Sequence, residues 1–245
     1  MWYLRATSSI GRINIGRTSL RFSAAERTPY IMETMSAETE QFVGHIASLG
    51  TTSGVRIVIG MWGASPYGAF TDVMVQSAEG TRTLLAPTSA VADYVSGAYS
   101  FDIVRTVPLT VSMGEDSLAL DAGPLSIRAE LGESTVVGRV LGLIPTMIAT
   151  HPRWLTAINP ISKIIMPGVR TAGTTKDGRR QFYGVTGARV ITAATASWAG
   201  DPLGELTSVR PRVRFGFSSV PKKPQVVDVT TTVLPLTEST AVSGT

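Results

Sequence analysis

The sequence predicts a β-rich α+β fold: a curved antiparallel sheet or barrel of about ten strands, with an N-terminal helix and short helices at 132–167 packed on it. Three observations carry this expectation. Apolar residues alternate with polar or small ones from Val107 to Leu131, the pattern of strands with one wet face. Ser77-Ala78-Glu79-Gly80 separates two β-prone runs as a hairpin turn would. Strand-like runs return from Thr171 to Leu234, punctuated by short turns.

Residues 1–31 read as a non-core extension. They hold five arginines against Glu26 and lack sustained periodicity. A transit peptide, a start codon placed too far upstream and an extra edge strand all remain open for them. The first firm element is a helix over 37–49. Ser36 suits its N-cap, Glu38 and Glu40 its positive end and Gly50 its C-terminus. Phe42, Val43, Ile46 and Leu49 would share one face, with His45 at its edge as a packed or surface histidine. Val55–Met61 is a buried strand, and 69–76 with 81–86 is the hairpin. Thr88 caps a short helix over 89–95. Leu109–Met113, Leu118–Leu120 and Leu125–Leu131 form a meander. Three helical pieces follow, the second opened by Pro152 and the third by Pro160, as a lid or plug on the sheet. Strands over 179–185, 188–198, 206–217 and 225–234 complete the domain at about residue 235. The last two predict a hairpin in which Phe215 faces Val227 and Arg214 faces Asp228. Residues 236–245 read as a frayed tail.

Composition narrows function by exclusion. The 245 residues are 43% hydrophobic and 16% charged, which rules out a disordered chain. With no cysteine there is no disulfide, thiol nucleophile or thiolate metal site. The two histidines, His45 and His151, have no metal-site spacing, so neither a metal nor another cofactor is expected. There is no GxxxxGK[ST], no strand-linked GxGxxG and no GxSxG. The apolar uncharged run Ile57–Thr71 is broken by Gly60, Gly63, Pro66 and Gly68 and is too short to span a bilayer, and no uncharged run is longer. With no signal-peptide core either, a cytoplasmic location is expected.

Candidate sites are few. Lys163, beside Ile161, Ile164 and Ile165, has the wall of apolar neighbours that can lower an ammonium pKa and make an imine-forming nucleophile. On a helix it would also project away from Ile161, as an exposed lysine does. Asp72 and Asp102, each among apolar neighbours, are catalytic candidates if either points inward beside Tyr94 or Tyr99. Trp62, Trp154, Trp198, Phe182 and Tyr183 supply aromatic surface for an apolar pocket, and Gly60-Met61-Trp62 is similar to the GxW signature of lipocalins. Arg210, Arg212 and Arg214 would share one strand face as an anion or nucleic-acid surface. Phe215 and Phe217 point the other way in that reading, which weighs against base stacking.

The stretches FTDVMVQSAEGTRTLLAPTSAVADYVSGAYSFD at 70–102, IMPGVRTAGTTKDGRRQFYG at 165–184 and VRFGFSSVP at 213–221 resemble a protein family of GC-rich, actinobacterial-type genomes. That family has no activity attached to it, so the resemblance transfers no site residue.

The formal charge of +4 resolves into +4 over 1–31, −5 over 32–167, +7 over 168–223 and −2 over the rest. Residues 32–245 are therefore neutral, which weakens the nucleic-acid reading. The function expected is a soluble binding protein for a small apolar or amphipathic ligand. The alternatives are an enzyme using Lys163, Asp72 or Asp102, and an anion or nucleic-acid binder.

Overall fold

The structure, a computed structural model, describes residues 39–165 and 170–235. The extension 1–31 and the tail 236–245 lie outside the described residues.

Strands β1 (Glu40–Thr51), β2 (Arg56–Ala64), β3 (Phe70–Gln76) and β4 (Arg82–Ala86) follow one another, each antiparallel to the last. Helix α1 (Ser89–Ala98) crosses over to β5 (Ile103–Thr106), which lies parallel to β4. Thr88 Oγ1 accepts the Val91 N–H at 3.3 Å, so the expected N-cap is in place. The meander is β6 (Leu109–Met113), β7 (Ser117–Ala122) and β8 (Leu125–Ser134). Helices α2 (Val136–Gly142), α3 (Thr146–Ala149) and α4 (Pro152–Ile165) follow. The chain then forms β9 (Ala172–Thr174), the long β10 (Arg180–Trp198), the short β11 (Asp201–Pro202) and β12 (Leu206–Thr207), and β13 (Gln225–Leu234). The main strand order is β5-β4-β3-β2-β1-β13-β10-β8-β7-β6.

This sheet curls. In a flat sheet β4 and β7, seven strand spacings apart, would be separated by roughly 34 Å. Yet Val75 of β3 and Leu85 of β4 share one apolar cluster with Leu118 and Leu120 of β7 and Leu125 and Ile127 of β8. Ile57 and Ile59 of β2 belong to the same cluster and are fully buried. The expected β-rich fold with a strongly curved antiparallel sheet is the one observed.

Four expectations about elements are overturned. Residues 40–51 are a strand, not a helix. The stretch pairs with β2 on one side and β13 on the other. Ala47 to Thr51 are buried without a break, and a short apolar run closed on both faces has no period that separates strand from helix. Glu40, assigned to a helix dipole, instead accepts hydrogen bonds from Tyr94 and Arg179.

The hairpin of 206–217 with 225–234 does not form. Strand β13 lies between β1 and β10, so Asp228 faces His45 and Gly187 rather than Arg214. Only Leu206–Thr207 is a strand, and residues 208–224 run without regular structure. Pro211, Pro221 and Pro224 lack the N–H groups that a ladder needs. The alternation in this stretch is met by local packing instead: Val209, Val213 and Phe215 are buried against Val58. Finally, the strands expected at 179–185 and 188–198 are one, β10, with a register shift between Val185 and Gly187. Likewise Pro160 does not open a third helix, because α4 runs through it.

Candidate functional site

Pleating places successive side chains on opposite faces. On β2, Ile57, Ile59 and Met61 enter the core while Val58, Gly60 and Trp62 face a cavity of about 890 Å³. This is within the range of small-molecule sites, roughly 300–1,000 Å³. Its floor comes from β1, β2, β3, β13 and β10, through Ile46, Val58, Met74, Val227, Val229 and Val185. Helix α1 adds Tyr94 and Val95, and helices α2 to α4 add Val137, Leu141, Leu155 and Ile158. Residues 213–223 close the remaining side. The helices expected as a lid therefore wall the chamber. Their outer surface is strongly apolar, with Leu143 83% and Met147 88% exposed.

Asp72 of β3 is 2% exposed and lines this chamber. Its Oδ1 accepts the Trp62 indole N–H at 3.0 Å, while the buried Oδ2 has no hydrogen-bond partner among the described residues. Burial pushes its carboxyl up to about 7, against the smaller opposing effect of the indole bond. Gly60, directly opposite on β2, makes room for this pair: a Cβ there would lie 2.6 Å from Asp72 Oδ1 and 2.8 Å from Trp62 Nε1. Thr231 Oγ1 is a second buried, unpartnered polar atom on a lining residue.

Three further polar residues line the chamber in a chain. Gln181 Nε2 donates to Tyr99 Oη at 3.0 Å, and the hydroxyls of Tyr99 and Tyr183 are 2.5 Å apart. Burial raises both phenols, and the charge of Asp72 adds to the effect on each. Both tyrosines are therefore neutral donors at ordinary pH. A second network sits beside Tyr94. Its hydroxyl donates to Glu40 Oε2 at 2.8 Å, Arg179 donates to the same oxygen at 2.9 Å, and the guanidinium lies 4.6 Å from the Tyr94 ring centre. Asp177 completes it with a 2.7 Å ion pair to Arg179. All of these charges are paired, so this network serves to hold α1 against the β1 and β10 ends.

The sequence-derived candidates are thus divided by the fold. Asp72, Trp62, Trp154 and Tyr183 meet in the chamber. Phe182, next to Tyr183 on the pleat, does not line it; it packs with Leu155 and Ala172 in a separate cluster. Trp198 packs at the edge of the main core. Asp102 does not point inward: it forms a 2.7 Å ion pair with Arg82, whose hydrogen bonds hold its carboxyl down at about 2. Lys163 falls in α4, but its side chain lies outside the described residues. His45 is bonded to Asp228 at 2.8 Å in a partly exposed pair. Gln181 was missed by sequence reasoning, and Tyr99 entered it only as a neighbour of an inward aspartate, because neither stands in a motif and only tertiary packing brings the end of α1 to β10.

The arginines do not form a strand face. Arg212 and Arg214 line a basin of about 460 Å³ together with Arg170, while Arg210 does not. Arg170, Val213, Ser218 and Ser219 line both this basin and the chamber. Among the described residues, no three His, Asp or Glu side chains are grouped to hold a metal ion. No helix among them is long and apolar enough to cross a membrane.

No protein-family model matches the chain, and no curated protein matches it. Among solved structures it is similar to acetoacetate decarboxylase from Legionella pneumophila subsp. pneumophila str. Philadelphia 1. The identity is 13%, the match covers 81% of this chain and 86% of that one, and the TM-score is 0.39. A second acetoacetate decarboxylase structure matches at 13% identity over 80% of this chain and 84% of that one, with a TM-score of 0.31. Neither likeness assigns a role to any residue here.

Proposed function

We propose that this protein encloses a small apolar or amphipathic ligand between its sheet and its helices. The observation that carries this is the chamber of about 890 Å³, walled mainly by Val, Ile, Leu and aromatic side chains, with Asp72 Oδ2 and Thr231 Oγ1 left unpartnered. A few polar atoms converging on an apolar cavity are what fix a ligand's orientation. Buried polar atoms are as a rule hydrogen-bonded, so a ligand donor or acceptor is the natural partner for these two. Titration with a neutral naphthylamine dye tests the reading. Enhanced, blue-shifted dye emission is expected, with loss of that binding in Val229→Trp, which fills the chamber from β13. A folded Val229→Trp protein that binds the dye as the parent does would overturn it.

A second reading is favoured by Asp72 alone. A carboxyl that titrates near neutrality, beside neutral phenols, can move a proton to or from a bound molecule. Deuterium exchange into carbonyl compounds next to the carbonyl group, followed by NMR, tests it. Exchange lost in Asp72→Asn supports proton transfer; exchange unchanged in that variant rejects it.

A further inference from the structure

Among the described residues, every charged residue lining the chamber, apart from the buried Asp72, is a cation: Arg170, Lys222 and Lys223, all exposed. The adjoining basin adds Arg212 and Arg214, also exposed. No ion pair among the described residues involves any of these five. Cations that share a concave surface without a carboxylate repel one another until an anion joins them. The chamber and the basin are separated by little. Four residues face both, and the Tyr183 ring of the chamber stacks on the Phe217 ring of the basin at 5.7 Å. One of the shared residues, Ser219, carries a buried Oγ with no hydrogen-bond partner among the described residues. Another, Ser218, accepts the Arg170 N–H at 3.0 Å and so ties the two sides of the basin together.

We infer that the ligand of the chamber is an amphipathic acid, its apolar body among the chamber's side chains and its anionic head, a carboxylate or a phosphate, held by Arg170, Arg212, Arg214 and Ser219. This rests on the chamber being a ligand site. The planar fork of a guanidinium matches either head group through two parallel hydrogen bonds. A serine hydroxyl adds a third donor. The same apolar walls that favour a hydrocarbon body disfavour a head group placed among them, and the cations all lie at the exposed margin. A nucleic acid fits less well: one face of Phe217, an aromatic ring of the basin, is already covered by its stack with Tyr183, so at most one face is left for a base.

The test uses the full chain carrying the neutral dye. Competitors are hexadecanoate, hexadecyl phosphate, hexadecan-1-ol, inorganic phosphate and a single-stranded oligonucleotide, the amphiphiles kept below their micellar concentrations. At low salt at least one of the two acids is expected to displace the dye about tenfold more tightly than the alcohol, as charge-assisted hydrogen bonds at a partly exposed site allow. Added salt should shrink that advantage, and Arg212→Gln/Arg214→Gln should bind acid and alcohol alike. Which head group wins identifies carboxylate or phosphate. Acid and alcohol of equal affinity, insensitive to salt and to the double variant, overturn the head-group inference and leave the chamber as a ligand site. Inorganic phosphate competing as well as hexadecyl phosphate overturns it in favour of a free-anion site. Oligonucleotide binding that depends on the two arginines, without preference for the acids, overturns it in favour of nucleic acid. A dye that does not enter the chamber removes the underlying reading first.

Discussion

At Asp72, burial and hydrogen bonding pull in opposite directions, and burial prevails. Its carboxyl ordinarily titrates at 3.8 and here titrates at about 7. Between those values the folded protein holds a proton that the unfolded chain has released. Raising the pH therefore drains stability across this window, by a few kcal/mol in all. In Asp72→Asn the amide keeps an acceptor for the Trp62 indole and cannot ionise. Its melting temperature should exceed that of the parent by an amount that grows between about pH 4 and pH 8. Thermal scans giving a constant difference over that range would contradict the assignment. Gly60 is the complementary position. Gly60→Ala puts a methyl group where Asp72 Oδ1 and Trp62 Nε1 meet, and denaturant titration should find a loss of roughly 1–3 kcal/mol. An inward aspartate was open to sequence reasoning as one alternative for Asp72 and Asp102 alike. What separates them is Arg82, which captures Asp102 at the surface, and no local pattern announces that pairing.

Elements are legible where one face is wet, and ambiguous where both are covered. The meander was readable because Leu118, Leu120, Leu125, Ile127 and Leu131 alternate with exposed or half-exposed positions. Strand β1 was misread because its second half is buried on both faces. The segment 208–224 was misread for the converse reason. Its alternation is real, but it packs on Val58 instead of pairing with a strand. The lid depends on a close approach of the same kind as that at Gly60. Helix α2 rests on β10 at Gly138, where a Cβ would lie 2.5 Å from the Ala188 carbonyl oxygen and 2.6 Å from its nitrogen. Alanine at that site is worth about 1 kcal/mol in helix propensity, but it collides with backbone that cannot turn aside. Gly138→Ala should therefore lift α2, and limited trypsin digestion should cut faster after Arg139 and Arg153 while the sheet stays protected. Unchanged cleavage would mean that the lid does not rely on this contact.

Across the whole molecule, stability concentrates in the cluster that joins the two ends of the sheet. Ile59 lies in it, with no exposed surface. Ile59→Ala should cost about 2–5 kcal/mol, measured by urea titration and lost in a single transition. Leu143, 83% exposed on the lid, is the contrasting case: Leu143→Ala should shift stability by less than about 0.5 kcal/mol. Equal effects at the two positions would mean that the lid, not the curled sheet, is the stabilising unit.

The sequence by itself determined the class of fold, the hairpin, the meander, the capped helix α1 and a set of short apolar helices beside a curved sheet. Each is written in neighbouring residues, through period, turn chemistry or a cap, and needs no distant partner to be read. The tertiary structure alone decided that β1 is a strand and that β13 lies between β1 and β10. It alone put Asp72 beside Tyr99, Gln181 and Tyr183, and gathered Arg170 with Arg212 and Arg214. These depend on pairings across dozens to more than a hundred residues. The same local alternation satisfies several pairings equally well, and only the closing of one core selects among them.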